Sequence, residues 1–70
     1  MRLRQLRKEN NMTQRQIADY LRIRQNTYSQ YETGCRQIPI NALIALAELY
    51  HTSTDYLLGL TARKRPYPKR

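Results

Sequence analysis

Residues 13 to 33, TQRQIADYLRIRQNTYSQYET, constrain the fold more than any other stretch, because they specify two short helices joined by a tight turn. Thr13 and Gln16 have the S/T-x-x-E/Q spacing of a capping box. In that motif the Thr hydroxyl accepts from the backbone at the fourth residue, and the Gln side chain returns to the Thr backbone. A helix therefore starts at Thr13 and runs to about Leu21, with Ile17, Ala18 and Leu21 on its apolar side at i, i+1 and i+4. Ala18 is small where a second helix must approach; a Leu there would push the pair apart at about 1 to 3 kcal/mol. Arg22 and Ile23 fill the turn, and Arg24 stands at the cap of the next helix. Neither Arg suits its place. A positive φ at Arg22 costs on the order of 1 kcal/mol relative to Gly, and an Arg at a helix start lacks a capping oxygen and opposes the dipole. Violations of this kind tend to lie at functional sites, and a nearby phosphate would compensate both charges.

The second helix of the pair carries its polar residues on one face. Gln25, Asn26, Ser29, Gln30 and Thr33 form a single stripe at 3.6 residues per turn, with Tyr28, Tyr31 and Glu32 on the other side. Solvated faces are usually rich in Lys and Glu, whereas uncharged amides and hydroxyls suit the reading of base edges.

Around this pair the chain predicts three further helices. Residues 2 to 10 place Leu3 and Leu6 three apart among charged neighbours, a short amphipathic helix stopped at Asn10 and Asn11, with Met12 packing as it leads onward. Gly34 supplies a left-handed cap, Pro39 suits a helix start, and Asn41 is expected to help cap the helix over residues 40 to 50. That helix is the most apolar, with Leu43, Ile44, Leu46, Ala47, Leu49 and Tyr50 over more than half its circumference, and is expected to be central. Ser53 caps a last helix from Thr54 to Leu58, with Asp55 favourable in its first turn and Gly59 as terminator. The division expected is a folded domain over residues 1 to 60 and a basic, proline-containing tail, TARKRPYPKR, over 61 to 70.

Length and charge limit what such a chain does. Seventy residues make one domain at most, burying about 60% of the surface the unfolded chain exposes, which leaves little room for a catalytic cleft. One cysteine and one histidine make neither an internal disulfide nor a Cys/His metal site. Cys35 reads as an ordinary loop residue and His51 as a partner for a helix end. No run approaches the roughly 20 apolar residues of a membrane span, and MRLRQLRKEN lacks a signal-peptide core, which fits a cytoplasmic protein. The net charge of +8 is unevenly spread. Residues 1 to 36 carry +5, residues 37 to 60 carry −2, and residues 61 to 70 carry +5. A basic half opposite a slightly acidic one fits a polyanion on one side of the fold.

Five short helices with a tight second and third pair make a small all-α bundle. In Met12-Thr13-Gln14, Ala18, QNTYSQYE over Gln25 to Glu32, Gly34, the IPI segment and STDYLLG, residues 2 to 60 resemble the Cro/C1-type, or Xre, family of phage-repressor-like helix-turn-helix proteins. Single-domain members from low-GC Gram-positive bacteria and their mobile elements look much like this chain. The resemblance implies a five-helix lambda-repressor-like domain that binds double-stranded DNA as a homodimer on a palindromic operator, most simply as a repressor, with no cofactor, small-molecule site or enzymatic activity. It implies base contacts by Gln25, Asn26, Ser29 and Gln30, and phosphate contacts by Gln14, Arg15, Arg24, Thr27 and Arg36. A bidentate Gln or Asn pairing with adenine is worth about 1 to 3 kcal/mol of discrimination. It also implies a structural ion pair of Arg7 with Glu32. The chain departs from many members at Arg22, Arg24 and Tyr28; the Tyr28 ring is expected at the seam of the helix pair with its hydroxyl at the rim.

Tyr56, Leu57, Leu58 and Leu60, in the less charged end of the domain, are the expected dimer contact. Rival readings are a restriction-modification control protein or an antitoxin of the same fold, a small basic RNA-binding protein, and a pure protein-interaction module. A-form RNA has a major groove too narrow for a recognition helix, and the chain has no stacking aromatics or glycine loops for single strands. For the tail, a solvated segment and a phosphate-binding arm both stand.

Overall fold

Helix boundaries follow the capping chemistry. The computed structural model describes residues 1 to 66, which hold α1 (Leu3–Glu9), α2 (Gln14–Leu21), α3 (Gln25–Thr33), α4 (Ile40–Leu49) and α5 (Thr54–Leu58). No strand occurs among the described residues. Thr13 Oγ1 accepts from the Gln16 amide at 3.1 Å while Gln16 Oε1 accepts from the Thr13 amide at 2.8 Å, which closes the capping box. Ser53 Oγ accepts from the Tyr56 amide at 3.0 Å. Gly34 and Gly59 end α3 and α5 at φ 83°, where a side chain would be strained.

One expected cap is absent. Pro39 itself is the N-cap of α4 and no side chain caps that end. Asn41 lies inside the first turn, two residues past the capping position, because a capping oxygen must come from the residue before the helix begins.

The core is built where the apolar stripes meet. Leu3 and Leu6 from α1, Ile17 and Ala18 from α2, Tyr28 and Tyr31 from α3, and Leu43, Leu46 and Ala47 from α4 are buried together. Each fully buried Leu or Ile removes enough apolar surface from water to contribute about 1.5 to 3 kcal/mol. The core uses only one side of α4, so Ile40 and Ile44 remain exposed one turn apart.

Leu57 and Tyr56 also belong to the core, which corrects the expected role of Leu57 as a subunit contact. Leu57 is 0% exposed, so its side chain offers a second chain no surface while the domain stays folded, and Tyr56 keeps only 9%. Leu58 and Leu60, by contrast, are exposed.

Arg2 ties the two ends of the domain together. Its backbone amide donates to the Leu57 carbonyl at 2.8 Å. Its guanidinium lies 4.1 Å from the centre of the Tyr56 ring and donates to the Tyr56 and Thr61 carbonyls. The described residues beyond Thr61 form no helix or strand, yet they are tied to the domain: Thr52 Oγ1 donates to the Lys64 carbonyl at 2.6 Å, and Lys64 Nζ pairs with Glu9 at 3.3 Å. Residues 61 to 64 are thus held by side chains at both ends of α1, Arg2 and Glu9, and by Thr52 between α4 and α5. The rest of the expected tail, residues 67 to 70, lies outside the described residues.

Candidate nucleic-acid interface

The turn between α2 and α3 sets the geometry of the site. Arg22 adopts φ 58°, ψ 44°, and the amides of Arg22 and Ile23 donate to the Asp19 and Ala18 carbonyls at 3.1 and 2.9 Å. The positive φ foreseen for Arg22 is therefore real, and it lets α3 follow α2 with only three residues between them. Ala18, 1% exposed, sits in the core shared by the two helices, where only a small side chain fits. Arg24 is extended at the N-cap of α3, and no side chain caps the amides there. Both arginines are exposed and precede a helix start that has donors to spare.

α3 divides as its sequence pattern implies. Gln25, Asn26, Gln30 and Thr33 are exposed, and Ser29 and Thr27 half-buried. On the other side Tyr28 and Tyr31 are buried, edge to face, with ring centroids 6.5 Å apart. After Gly34 the loop folds back, because the Arg36 amide donates to the Gln30 carbonyl at 3.2 Å. Arg24 and Arg36 are exposed at opposite ends of the polar stripe, and Arg15 is exposed on the first turn of α2.

Glu32 holds the buried side of α3 in place. It accepts from Arg7 Nε at 2.6 Å, from Arg7 Nη2 at 3.2 Å and from Gln14 Nε2 at 3.1 Å. Arg7 Nη1 also donates to the Met12 carbonyl at 3.0 Å. Burial pushes the Glu32 carboxyl up, but hydrogen bonds from Arg7 and Gln14, with the Tyr28 hydroxyl close by, outweigh it and hold the group below the usual carboxylate range. The hydrogen bond to Glu32 raises the Arg7 guanidinium in turn.

Tyr28 corrects another expectation. Its ring is 0% exposed, so the hydroxyl lies in the interior, not at the rim. It points to the Glu32 charge without closing a hydrogen bond of ordinary geometry. Burial drives the Tyr28 hydroxyl well up, and drives that of Tyr50 up to about 12, with the Glu32 charge adding to both. The Gln14 bond to Glu32 is the part of the site that residue patterns missed, since it joins positions 18 apart and no local spacing marks it.

Elsewhere, Cys35 and His51 are exposed. No three His, Cys, Asp or Glu side chains among the described residues gather as metal ligands, and no described helix is long and apolar enough to cross a membrane.

Comparison with known proteins places this arrangement. A family profile described as helix-turn-helix matches residues 3–57, from the start of α1 into α5. The chain is 42% identical over 69 residues to the uncharacterized HTH-type transcriptional regulator YobD of Bacillus subtilis (strain 168), covering 99% of this chain and 62% of that protein. It is 41% identical over 68 residues to the HTH-type transcriptional regulator AnsR of the same organism, covering 97% and 59%. To the HTH-type transcriptional regulator ImmR, also from that organism, it is 41% identical over 58 residues, covering 83% and 46%. The chain thus spans about three fifths or less of the length of these relatives. No solved structure gives a significant match. Because the matched region takes in the turn at Arg22, the whole of α3 and the helices that hold it, the chain belongs to the Cro/C1-type, or Xre, family of helix-turn-helix regulators and has its five-helix, lambda-repressor-like fold.

Proposed function

We propose that this chain binds duplex DNA sequence-specifically through α3 and regulates transcription, acting as a repressor on a palindromic operator. The observation that carries the reading is the exposed amide face of α3, Gln25, Asn26 and Gln30, set between Arg24 and Arg36 on a helix whose other face is buried. Amides pair with base edges in the major groove, and guanidinium groups at either end hold phosphates and fix the register. Gln25, Asn26, Ser29 and Gln30 read bases; Gln14, Arg15, Arg24, Thr27 and Arg36 contact the backbone. The names of AnsR and ImmR, as transcriptional regulators, support the same reading.

One recognition helix reads too few base pairs to select a site in a genome, so two copies act on half-sites about 34 Å apart. The exposed Leu58 and Leu60 are the surface for that pairing, in the part of the chain that carries −2 rather than +5.

Selection of bound sequences from a random duplex library, followed by competition at about 0.15 M salt, tests the reading. The best selected site should outcompete random duplex by roughly 10³ or more. Equal competition by both would refute it.

A further inference from the structure

We infer that Glu32 and Arg7 are positioning residues for the DNA contact made by Gln14, so that the interior ion pair and the DNA-facing start of α2 form one unit. This rests on the DNA-binding reading above and assigns a task to a hydrogen bond inside it.

Gln14 is the first residue of α2 and is half-buried. A glutamine there could swing its amide through many rotamers and present either its oxygen or its nitrogen outward. Here Nε2 donates to Glu32 Oε1 at 3.1 Å. An ionised carboxylate only accepts, so the amide must present its nitrogen to Glu32, and its orientation is set by chemistry. The nitrogen carries two hydrogens. One goes to Glu32, and the second remains for an acceptor outside. A phosphate oxygen is such an acceptor.

The carboxylate that sets this orientation is itself immobilised. Arg7 grips it through Nε and Nη2, and the same guanidinium uses Nη1 to hold the Met12 carbonyl. Met12 immediately precedes the Thr13 cap, so the backbone entering α2 and the first side chain of α2 are both referenced to one guanidinium–carboxylate pair. Arg7 also neutralises Glu32, and a phosphate approaching Gln14 meets no net repulsion from it. Glu32 belongs to α3, whose opposite face carries Gln25, Asn26 and Gln30. The phosphate donor on α2 is therefore held in register with the base-reading face on α3.

Two measurements on the full chain test this. In the first, the Gln14 side-chain amide resonances of nitrogen-15-labelled protein are followed through an acid titration. They should shift with the titration of the Glu32 carboxyl, and resonances unmoved by that titration would overturn the inference. The second is a cycle of DNA affinities on the selected site and on random duplex, with folding verified by circular dichroism. Gln14→Ala should weaken both duplexes roughly 3- to 10-fold alike, with the salt slope unchanged because no charge is lost. Arg7→Met combined with Glu32→Leu, which replaces the pair by apolar groups of similar size, should give a comparable loss, and adding Gln14→Ala to it should cost little more. Additive losses would overturn the inference. If the Arg7→Met, Glu32→Leu chain does not fold, the titration of the native chain decides alone. Failure of the native chain to prefer any duplex would defeat the DNA-binding reading instead, while the titration would still report on the hydrogen bond.

Discussion

Arg7 on α1 and Glu32 on the last turn of α3 meet through two hydrogen bonds, at 2.6 and 3.2 Å, with side-chain exposures of 12% and 3%. A pair this enclosed is held in place by what would follow from losing half of it. Glu32→Ala leaves the guanidinium and the Gln14 amide without their acceptor, and should destabilise the domain by about 3 to 5 kcal/mol, enough to unfold much of a small domain. Arg7→Met with Glu32→Leu should cost markedly less than either single change, because no uncompensated charge remains. Urea unfolding with an unchanged m-value is the measurement.

The same carboxylate makes stability depend on pH. The folded-state Glu32 pKa is depressed, so its contribution is complete above the unfolded value, about 4.3, and is lost as pH falls through the folded value. Tyr28 and Tyr50 act in the other direction: their raised values disfavour the folded state once an unfolded tyrosine would ionise, above about pH 10. Melting temperature should be flat between about pH 5 and 9 and fall on both sides. Glu32→Gln should flatten the acid limb, and Tyr28→Phe with Tyr50→Phe the alkaline limb.

Base reading and phosphate holding should separate by substitution. Gln25→Ala should relax preference at one operator position by about 1 to 3 kcal/mol and leave the others intact. Arg36→Ala should weaken all sequences alike and reduce the salt slope by about one. Equal effects from the two would contradict the division proposed for α3 and its flanks.

Arg22 holds a left-handed conformation that glycine adopts without strain. Arg22→Gly should therefore leave stability unchanged or raise it by up to about 1 kcal/mol. If its charge faces a phosphate, affinity for all duplexes falls at the same time. Thermal unfolding and a salt-dependent binding series check the two effects separately.

Leu57 and Leu60 should behave as opposites. Leu57→Ala should cost about 2 to 5 kcal/mol of folding stability by opening a cavity. Leu60→Glu should leave monomer stability nearly unchanged and shift sedimentation towards the monomer.

Those last two residues also show where a sequence stops being legible. The caps at Thr13, Gln16, Ser53, Gly34 and Gly59 were readable because each depends on neighbours within a few positions, and so was the strain at Arg22. The two faces of α3 followed from nine residues of helical spacing. α5 has only five residues, too few to say which leucine points inward, so Leu57 was assigned to the surface and proved to be core. The Tyr28 hydroxyl suggests the rim, whereas the whole side chain is enclosed in the core. The Gln14–Glu32 bond and the return of residues 61 to 64 onto the domain depend on partners 12 or more positions away. Only the assembled fold brings them together.

The bond from the Arg2 amide to the Leu57 carbonyl bears on how the domain opens. An amide at the N-cap of a helix has no partner within the helix and ordinarily exchanges its hydrogen with solvent almost at once. This one is released only when α5 lets go of α1, so its exchange rate reports the unfastening of the far end of the fold. Protection at Arg2 close to that of the Leu46 core would mean that the first and last helices come apart in the same event, with no partially opened domain that keeps one and sheds the other.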